Sequence, residues 1–194
     1  MSLVTGSLKF YLTIDGQMSI FIGMAKDLKD FILKLQKINA NLAFVSKRSV
    51  AVGWVDGNKR HKPKKGQKSV PPSLAQIAKV LNYGSAPQFK PDGSVQQRIP
   101  PRPFMSVLKN EYGDYLKKVA ADEANKIVNG TSNSGAFFKA FGVRAKGALQ
   151  RAMRKSDEYV PNAPSTIKQK GSSRPLFDTG TLIRSVDYEV RVVK

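Results

Sequence analysis

Ser185-Val186-Asp187-Tyr188-Glu189-Val190-Arg191-Val192-Val193 closes the chain, with Val186, Tyr188, Val190 and Val192 in strict alternation with polar residues. A period of two puts those four side chains on one face of a half-buried strand. The same signal opens the chain, where Leu8, Phe10, Leu12 and Ile14 share a face and Asp15-Gly16 ends the run. Between the two, residues 42–55 hold two short runs of β-formers around a polar turn, which reads as a hairpin with Val50, Val52 and Trp54 on one side. A sheet with one apolar face must bury it against another layer.

Helical periodicity in the intervening chain supplies that layer. Over 17–39, Phe21, Met24, Ala25, Leu28, Phe31, Ile32, Leu35 and Ile38 follow helical spacing, while Lys26, Asp27, Lys29, Asp30, Lys34 and Lys37 take the other side. Ser73 is placed to cap a short helix carrying Leu74, Ile77, Ala78 and Leu81, closed by Gly84. Pro100-Pro101-Arg102-Pro103-Phe104 must be extended, because proline fixes φ and drives the preceding residue out of the helical region. It feeds a helix over 104–128, with Leu108, Tyr115 and Val119 sharing a face. A second long helix spans 135–155 with the stripe Phe138, Phe141, Ala145, Leu149 and Met153, and Gly142 and Gly147 inside it read as points of close packing. Phe137 and Val143 lie off that stripe and read either as extra core or as subunit contacts. A turn of helix over 165–169 and another through Leu182–Arg184, capped by Asp178, precede the last strand. These readings give one α+β domain over 1–194: an antiparallel sheet including the N- and C-terminal strands and a hairpin, packed against long amphipathic helices. Extended loops cover 56–72 and 85–99, the second with Asp92-Gly93 at its tip.

Composition narrows function mainly by exclusion. The 194 residues contain no Cys and one His, His61, so disulfides, thiolate chemistry and a zinc ligand set are ruled out. No phosphate-binding glycine loop, dinucleotide fingerprint or nucleophile elbow occurs, and the imidazole sits in the most basic loop, a poor place to fix a general base. Asp178 and Asp187 read as surface ion-pair partners, not as a catalytic pair. The expectation is therefore no enzyme, no cofactor and no metal. No apolar run approaches the roughly 18 residues of a membrane span, and no secretory leader pattern precedes residue 24, so the chain is expected to act in the cytoplasm without a membrane partner.

Charge is the positive signal. Lys and Arg number 33 against 14 Asp and Glu, a formal net charge of +19. Such a surplus on one domain repels itself and points to a polyanionic partner such as nucleic acid, an anionic membrane or an acidic protein surface. Two elements concentrate it. The loop 58–68 offers Lys59, Arg60, Lys62, Lys64, Lys65 and Lys68, and the helix 135–155 offers Arg144, Lys146, Arg151, Arg154 and Lys155 with no acid among them. The loop reads either as a solvated stretch or as an arm that neutralises phosphates or carboxylates without reading bases, and the basic face of helix 135–155 tips the balance to the arm.

Three segments in fixed order carry a resemblance. They are Leu74-Ala75-Gln76-Ile77-Ala78-Lys79-Val80-Leu81-Asn82-Tyr83-Gly84-Ser85, then Ile99-Pro100-Pro101-Arg102-Pro103-Phe104-Met105, then Pro175-Leu176-Phe177-Asp178-Thr179-Gly180-Thr181-Leu182-Ile183-Arg184-Ser185-Val186. Together with a strand at each end, they resemble the tail completion and head-tail joining (neck) proteins of tailed bacteriophages, minor tail protein Z-like. In that family a helix with an Ile-Ala pair ends in an aromatic-Gly-Thr/Ser turn. A Pro-x-Arg-Pro-Phe segment then opens a long helix, and a Leu-x-Asp-Thr-Gly-x-Leu-x-x-Ser-Ile motif turns into the final strand. The chain departs from it at Asn82, where a carboxylate commonly stands, and in the basic insertion at 58–68. The resemblance implies a structural virion protein, assembled in the host cytoplasm. It would form a homo-oligomeric ring, a hexamer, that joins the connector of the DNA-filled head to tail-tube or tail-terminator proteins, with packaged DNA in the channel. Arg102, Phe104 and Trp54 are then candidates for a subunit junction, where Arg102 would hold a carboxylate; equally Arg102 reads as a surface arginine in a rigid turn, and Trp54 as a core anchor. The competing reading is a sequence-independent basic DNA-binding protein; a membrane-active basic protein would require helix 135–155 to leave its core.

Overall fold

The computed structural model describes residues 16–56, 59–60, 70–96 and 98–193. In chain order its elements are α1 (Gly16–Ser46), β1 (Arg48–Gly53), α2 (Leu74–Tyr83), β2 (Gln88–Phe89), β3 (Val95–Gln96), α3 (Phe104–Val128), α4 (Ser134–Arg154), α5 (Pro164–Lys170), α6 (Thr181–Arg184) and β4 (Asp187–Val192). The architecture is α+β, with an antiparallel sheet laid against long helices, as the periodicities predict.

Helix α4 is the element on which the others converge. It starts where Asn133 accepts a hydrogen bond from the Ala136 amide through Oδ1 at 3.0 Å, satisfying one of the free donors of the first turn. It buries Phe137, Phe138, Gly142, Ala145, Ala148, Leu149, Ala152 and Met153. Phe137 is thus core, whereas Val143 is exposed. Toward its C-terminus Leu149 and Met153 join Leu74, Ala78, Phe104, Leu176, Leu182, Ile183 and Val186 in the main core. Toward its N-terminus Phe137 and Phe138 meet Ile127 in a second cluster, which Leu42, Val45 and Val50 flank. Helix α3 reaches both clusters, contributing Phe104 to one and Ile127 to the other. Its buried row is Phe104, Val119, Glu123 and Ile127, and Tyr115, expected on that face, is exposed.

In the described sheet β1 pairs with β4, antiparallel, with Val50 opposite Val190 and Val52 opposite Tyr188. The hairpin expected over 42–55 does not form. Its first arm belongs to α1, which runs seven residues past the expected end at 39. The reason is tertiary: Leu42 and Val45 keep helical spacing from Ile38, and as a helix they reach the Ile127–Phe138 cluster. Arg48 closes the helix, donating from Nη1 to the Phe44 carbonyl at 3.3 Å with its guanidinium 3.4 Å from the centre of the Phe44 ring. β1 then finds its partner at the far end of the chain. The expected strand over 8–14 lies outside the described residues. Along β4 the burial fades: Val186, just before it, is buried and Tyr188 half-buried, but Val190 and Val192 are exposed.

The segment 85–99 carries the small β2–β3 ribbon, turned at Asp92-Gly93 as expected, where the Ser94 amide donates to Asp92 Oδ1 at 2.8 Å. Asp178 does not cap α6. The N-cap position belongs to Gly180, left-handed at φ 73°, and Arg184 Nη2 donates back to the Thr179 carbonyl at 2.7 Å.

The two glycines of α4 differ in kind. A Cβ at Gly142 would stand 2.6 Å from Cγ of Tyr188 and nearer still to Cδ2 and Cε2, so β4 can lie where it does only because this residue has no side chain. A Cβ at Gly147 would meet nothing within 4 Å. Gly142→Ala should therefore lower stability despite alanine's helical preference, because overpacking of about 1–3 kcal/mol outweighs a gain of about 1 kcal/mol. Gly147→Ala should raise stability by up to about 1 kcal/mol. Urea denaturation of both variants checks the opposite signs.

Tyr159 is buried and donates its O–H to the Ala152 carbonyl at 2.6 Å. Burial, then the charges of Glu158 and Glu111, push its phenol up to about 12 from an ordinary 10.0. The stability linked to this group is complete below pH 10, and is lost as pH rises through 12 while the unfolded chain deprotonates first. In an absorbance titration at alkaline pH, Tyr159→Phe should delete the step at about 12 and no other.

Candidate functional site

The first two segments of the resemblance are joined by backbone before side chains enter. Helix α2 begins with a capping box, Ser73 Oγ accepting from the Gln76 amide at 3.2 Å while Gln76 Oε1 accepts from the Ser73 amide at 2.8 Å. At its other end the Arg102 amide donates to the Leu81 carbonyl at 2.8 Å, and Ser85 and Ile99 exchange two bonds. Between Pro100 and Pro103 the only amide hydrogen is that of Arg102. Asn82, buried, accepts from the Met105 amide at 3.0 Å through Oδ1 and so satisfies a free donor in the first turn of α3. Sequence reasoning noticed Asn82 only as a departure. Its helical spacing from Leu74 and Ala78, which puts it on the inner face of α2, is the signal that could have found it.

Arg102 is 6% exposed. Its Nε donates to the Val160 carbonyl at 3.1 Å and its Nη2 to Asn162 Oδ1 at 3.2 Å. Asn162, itself buried, donates onward to the carbonyls of Ser173 and Arg174. One guanidinium thus ties the proline segment to two loops from the last third of the chain. Both side-chain acceptors are neutral, and no ion pair among the described residues includes Arg102. Burial pulls its pKa below the usual value, and arginine remains charged across the accessible range.

Arg102 lies at a half-open cleft of about 540 Å³. Ile77, Leu81, Leu176 and Leu182 give it apolar walls, and Arg98, Lys170 and Asp178 also line it. Burial lowers the Lys170 pKa; Asp178 opposes that shift and the Arg102 charge adds to it. Three cations and one carboxylate thus line an apolar floor, which gives the cleft a positive balance. Comparison of the chain with protein-family models, curated proteins and solved structures gives no match.

The other predicted contacts distribute as follows. Phe104 is 1% exposed, in the main core, with the Trp54 ring edge-on to it at 5.9 Å. Trp54 Nε1 is shared between the Leu182 carbonyl at 3.0 Å and Ser185 Oγ at 3.1 Å. Trp54 and Phe104 therefore pack within the subunit. Lys59 and Arg60 sit where the basic loop is pinned: the Lys59 carbonyl accepts from the Leu74 amide at 2.8 Å, and Arg60 Nη1 donates to the Pro71 carbonyl at 2.6 Å. Lys62, Lys64, Lys65 and Lys68 lie outside the described residues.

On α4 the basic face is not left bare, because neighbours supply the acids the helix lacks. Lys146 pairs with Asp187 of β4 at 3.1 Å. Lys155 pairs with Glu111 and, at 3.0 Å, with Glu158. Arg144 approaches the buried Glu123 at 3.8 Å, which Lys126 also holds at 2.7 Å. Arg151 lies over the Tyr112 ring at 5.7 Å, and Arg154 has no ion-pair partner among the described residues. The Lys146 hydrogen bond is the largest cause holding Asp187 below the usual carboxylate value, with Lys59 adding to it. Asp187 is where the base of the loop and the basic helix come together.

Arg102→Lys keeps the charge and loses the two-pronged grip on Val160 and Asn162. It should cost about 1–3 kcal/mol of stability, read from denaturant midpoints, because Asn162 Oδ1 is left buried without its donor.

Proposed function

We propose that this chain is a structural subunit of the neck of a tailed bacteriophage, assembling as a ring that joins the DNA-filled head to the tail tube. One observation carries the reading. The three segments of the resemblance, spread over more than half the sequence, pack on one another around a single cleft. Leu81 and Asn82 hold the backbone of Arg102 and Met105, and Leu176, Leu182, Ile183 and Val186 pack with Leu74, Ala78 and Phe104. Motifs that recur by chance need not meet in space; these meet at the least compensated buried charge described in the fold.

Surface chemistry favours acidic protein neighbours over duplex DNA as the principal partner. Lys146, Lys155 and Arg144 are already matched to acids of the same subunit, which thins the continuous cationic track that sequence-independent DNA binding requires. The Arg102 cleft is a concave site with apolar walls, suited to a carboxylate and its flanking apolar side chain on a neighbouring chain and not to a duplex backbone.

Deleting the gene from its phage should leave filled heads and free tails, visible by electron microscopy, and adding the purified chain to that lysate should restore joined particles. Lys170→Glu, which replaces a cation lining the cleft, should restore them poorly. Normal particles from the deletion would overturn the proposal. Tight binding to free duplex DNA, falling with salt at roughly 0.9 log units per phosphate neutralised, would replace it with the DNA-binding reading.

A further inference from the structure

Folding leaves one prong of the Arg102 guanidinium unused. Nε and Nη2 are taken by the Val160 carbonyl and Asn162 Oδ1, while among the described residues Nη1 donates to no protein atom. No buried side-chain nitrogen or oxygen among them lacks a partner, so Nη1 keeps access to solvent, and the cleft is the opening that Arg102 lines. Buried charges are ordinarily met by a counter-ion. Arg102, 6% exposed, is met only by two neutral oxygens.

A second cation shares the hollow. Lys170 is half-buried, lines the same cleft and enters no ion pair among the described residues. The Arg102 charge is one of the causes that lower its pKa, so the two cations lie within electrostatic reach of each other. Two like charges held in one partly desolvated hollow repel, and an anion seated between them relieves both. Around them Ile77, Leu81, Leu176 and Leu182 form apolar walls.

This combination selects the chemistry of the ligand. A bare phosphate or a duplex backbone would use the cations and leave the apolar walls against water. A purely apolar ligand would leave the cations unmatched. A carboxylate carried next to an apolar side chain uses both, and the volume of about 540 Å³ falls within the size range of enclosing ligand pockets. Asp178, which also lines the cleft and acts on Lys170, disfavours a second negative charge there.

We propose that the cleft is a recognition site for a partner polypeptide, seating one Asp or Glu side chain between Arg102 Nη1 and Lys170 with a neighbouring apolar side chain against Ile77, Leu81 and Leu182. That the ligand belongs to a protein rests on the neck reading. That it is a single carboxylate with an apolar neighbour rests on the cleft alone.

Panning the purified full chain against bead-bound random short peptides tests it. Retained peptides should carry one Asp or Glu within about two residues of Leu, Ile, Val or Phe. In solution, by fluorescence anisotropy, replacing that acid with its amide should weaken binding about tenfold. Lys170→Glu should weaken it at least as much, and Lys170→Arg, which keeps the charge, should retain most of the affinity. Both variants should melt with the parent chain, because Lys170 makes no described ion pair that its loss would break. The inference is overturned if no peptide is held above bare beads, if the retained peptides are polyacidic without apolar residues, or if inorganic phosphate competes as well as unlabelled peptide. It is equally overturned if binding is indifferent to Lys170→Glu, since the overall charge of +19 would then be the receptor. A chain that selects no such peptide but joins heads to tails loses this inference and keeps the neck reading. One that selects them although the deletion lysate is normal keeps the site and loses the neck.

Discussion

How closely other elements can approach α4 governs this structure. Gly142, Ala145, Ala148 and Ala152 give one helix a surface low enough for a sheet on one part of its circumference and a second helix on another. Leu149 and Met153 at one end and Phe137 and Phe138 at the other then fill the two clusters that this approach creates. Interiors are packed to crystal-like density, so the position of β4, and with it the end of the chain, is set by what α4 does not carry.

The excess of positive charge has a different organisation from the one the sequence suggests. Among the described residues, Arg144 and Lys146 of α4 and Lys155 just after it are answered by Glu123 and Glu111 of α3, Glu158 of the following turn and Asp187 of β4. Most of these pairs are at the surface and contribute little to stability individually. Their effect is to level the local potential. One cation is handled differently: Arg102, buried, holds two neutral oxygens at the edge of an apolar cleft.

Legibility followed the range of the interactions involved. Helices α2, α3 and α4 were readable to within a residue or two because a cap, a proline segment and a 3.6-residue stripe are local signals. The segment 42–55 looks like a hairpin because Leu42-Ala43-Phe44-Val45 satisfies both β propensity and helical spacing, and what decides between them is a cluster contributed by residues about eighty to ninety-five positions later. Likewise Arg102 was recognisable as unusual among prolines, while its partners Val160 and Asn162, about sixty residues away, carry no motif of their own. Asp178 failed as a cap because the left-handed Gly180 takes the position a side chain would have served. In the cleft the sequence revealed the arginine but not the apolar walls, which come from three separated segments.

The Arg102–Asn162 bridge joins strands of chain that neighbour each other only in the finished fold. Its charge is therefore set in place by folding itself, held by groups that the sequence keeps about sixty residues apart. The converse is that the cleft has no independent existence: once the loops at 160–163 and 172–174 part from the proline segment, the cation returns to water and the cleft opens out.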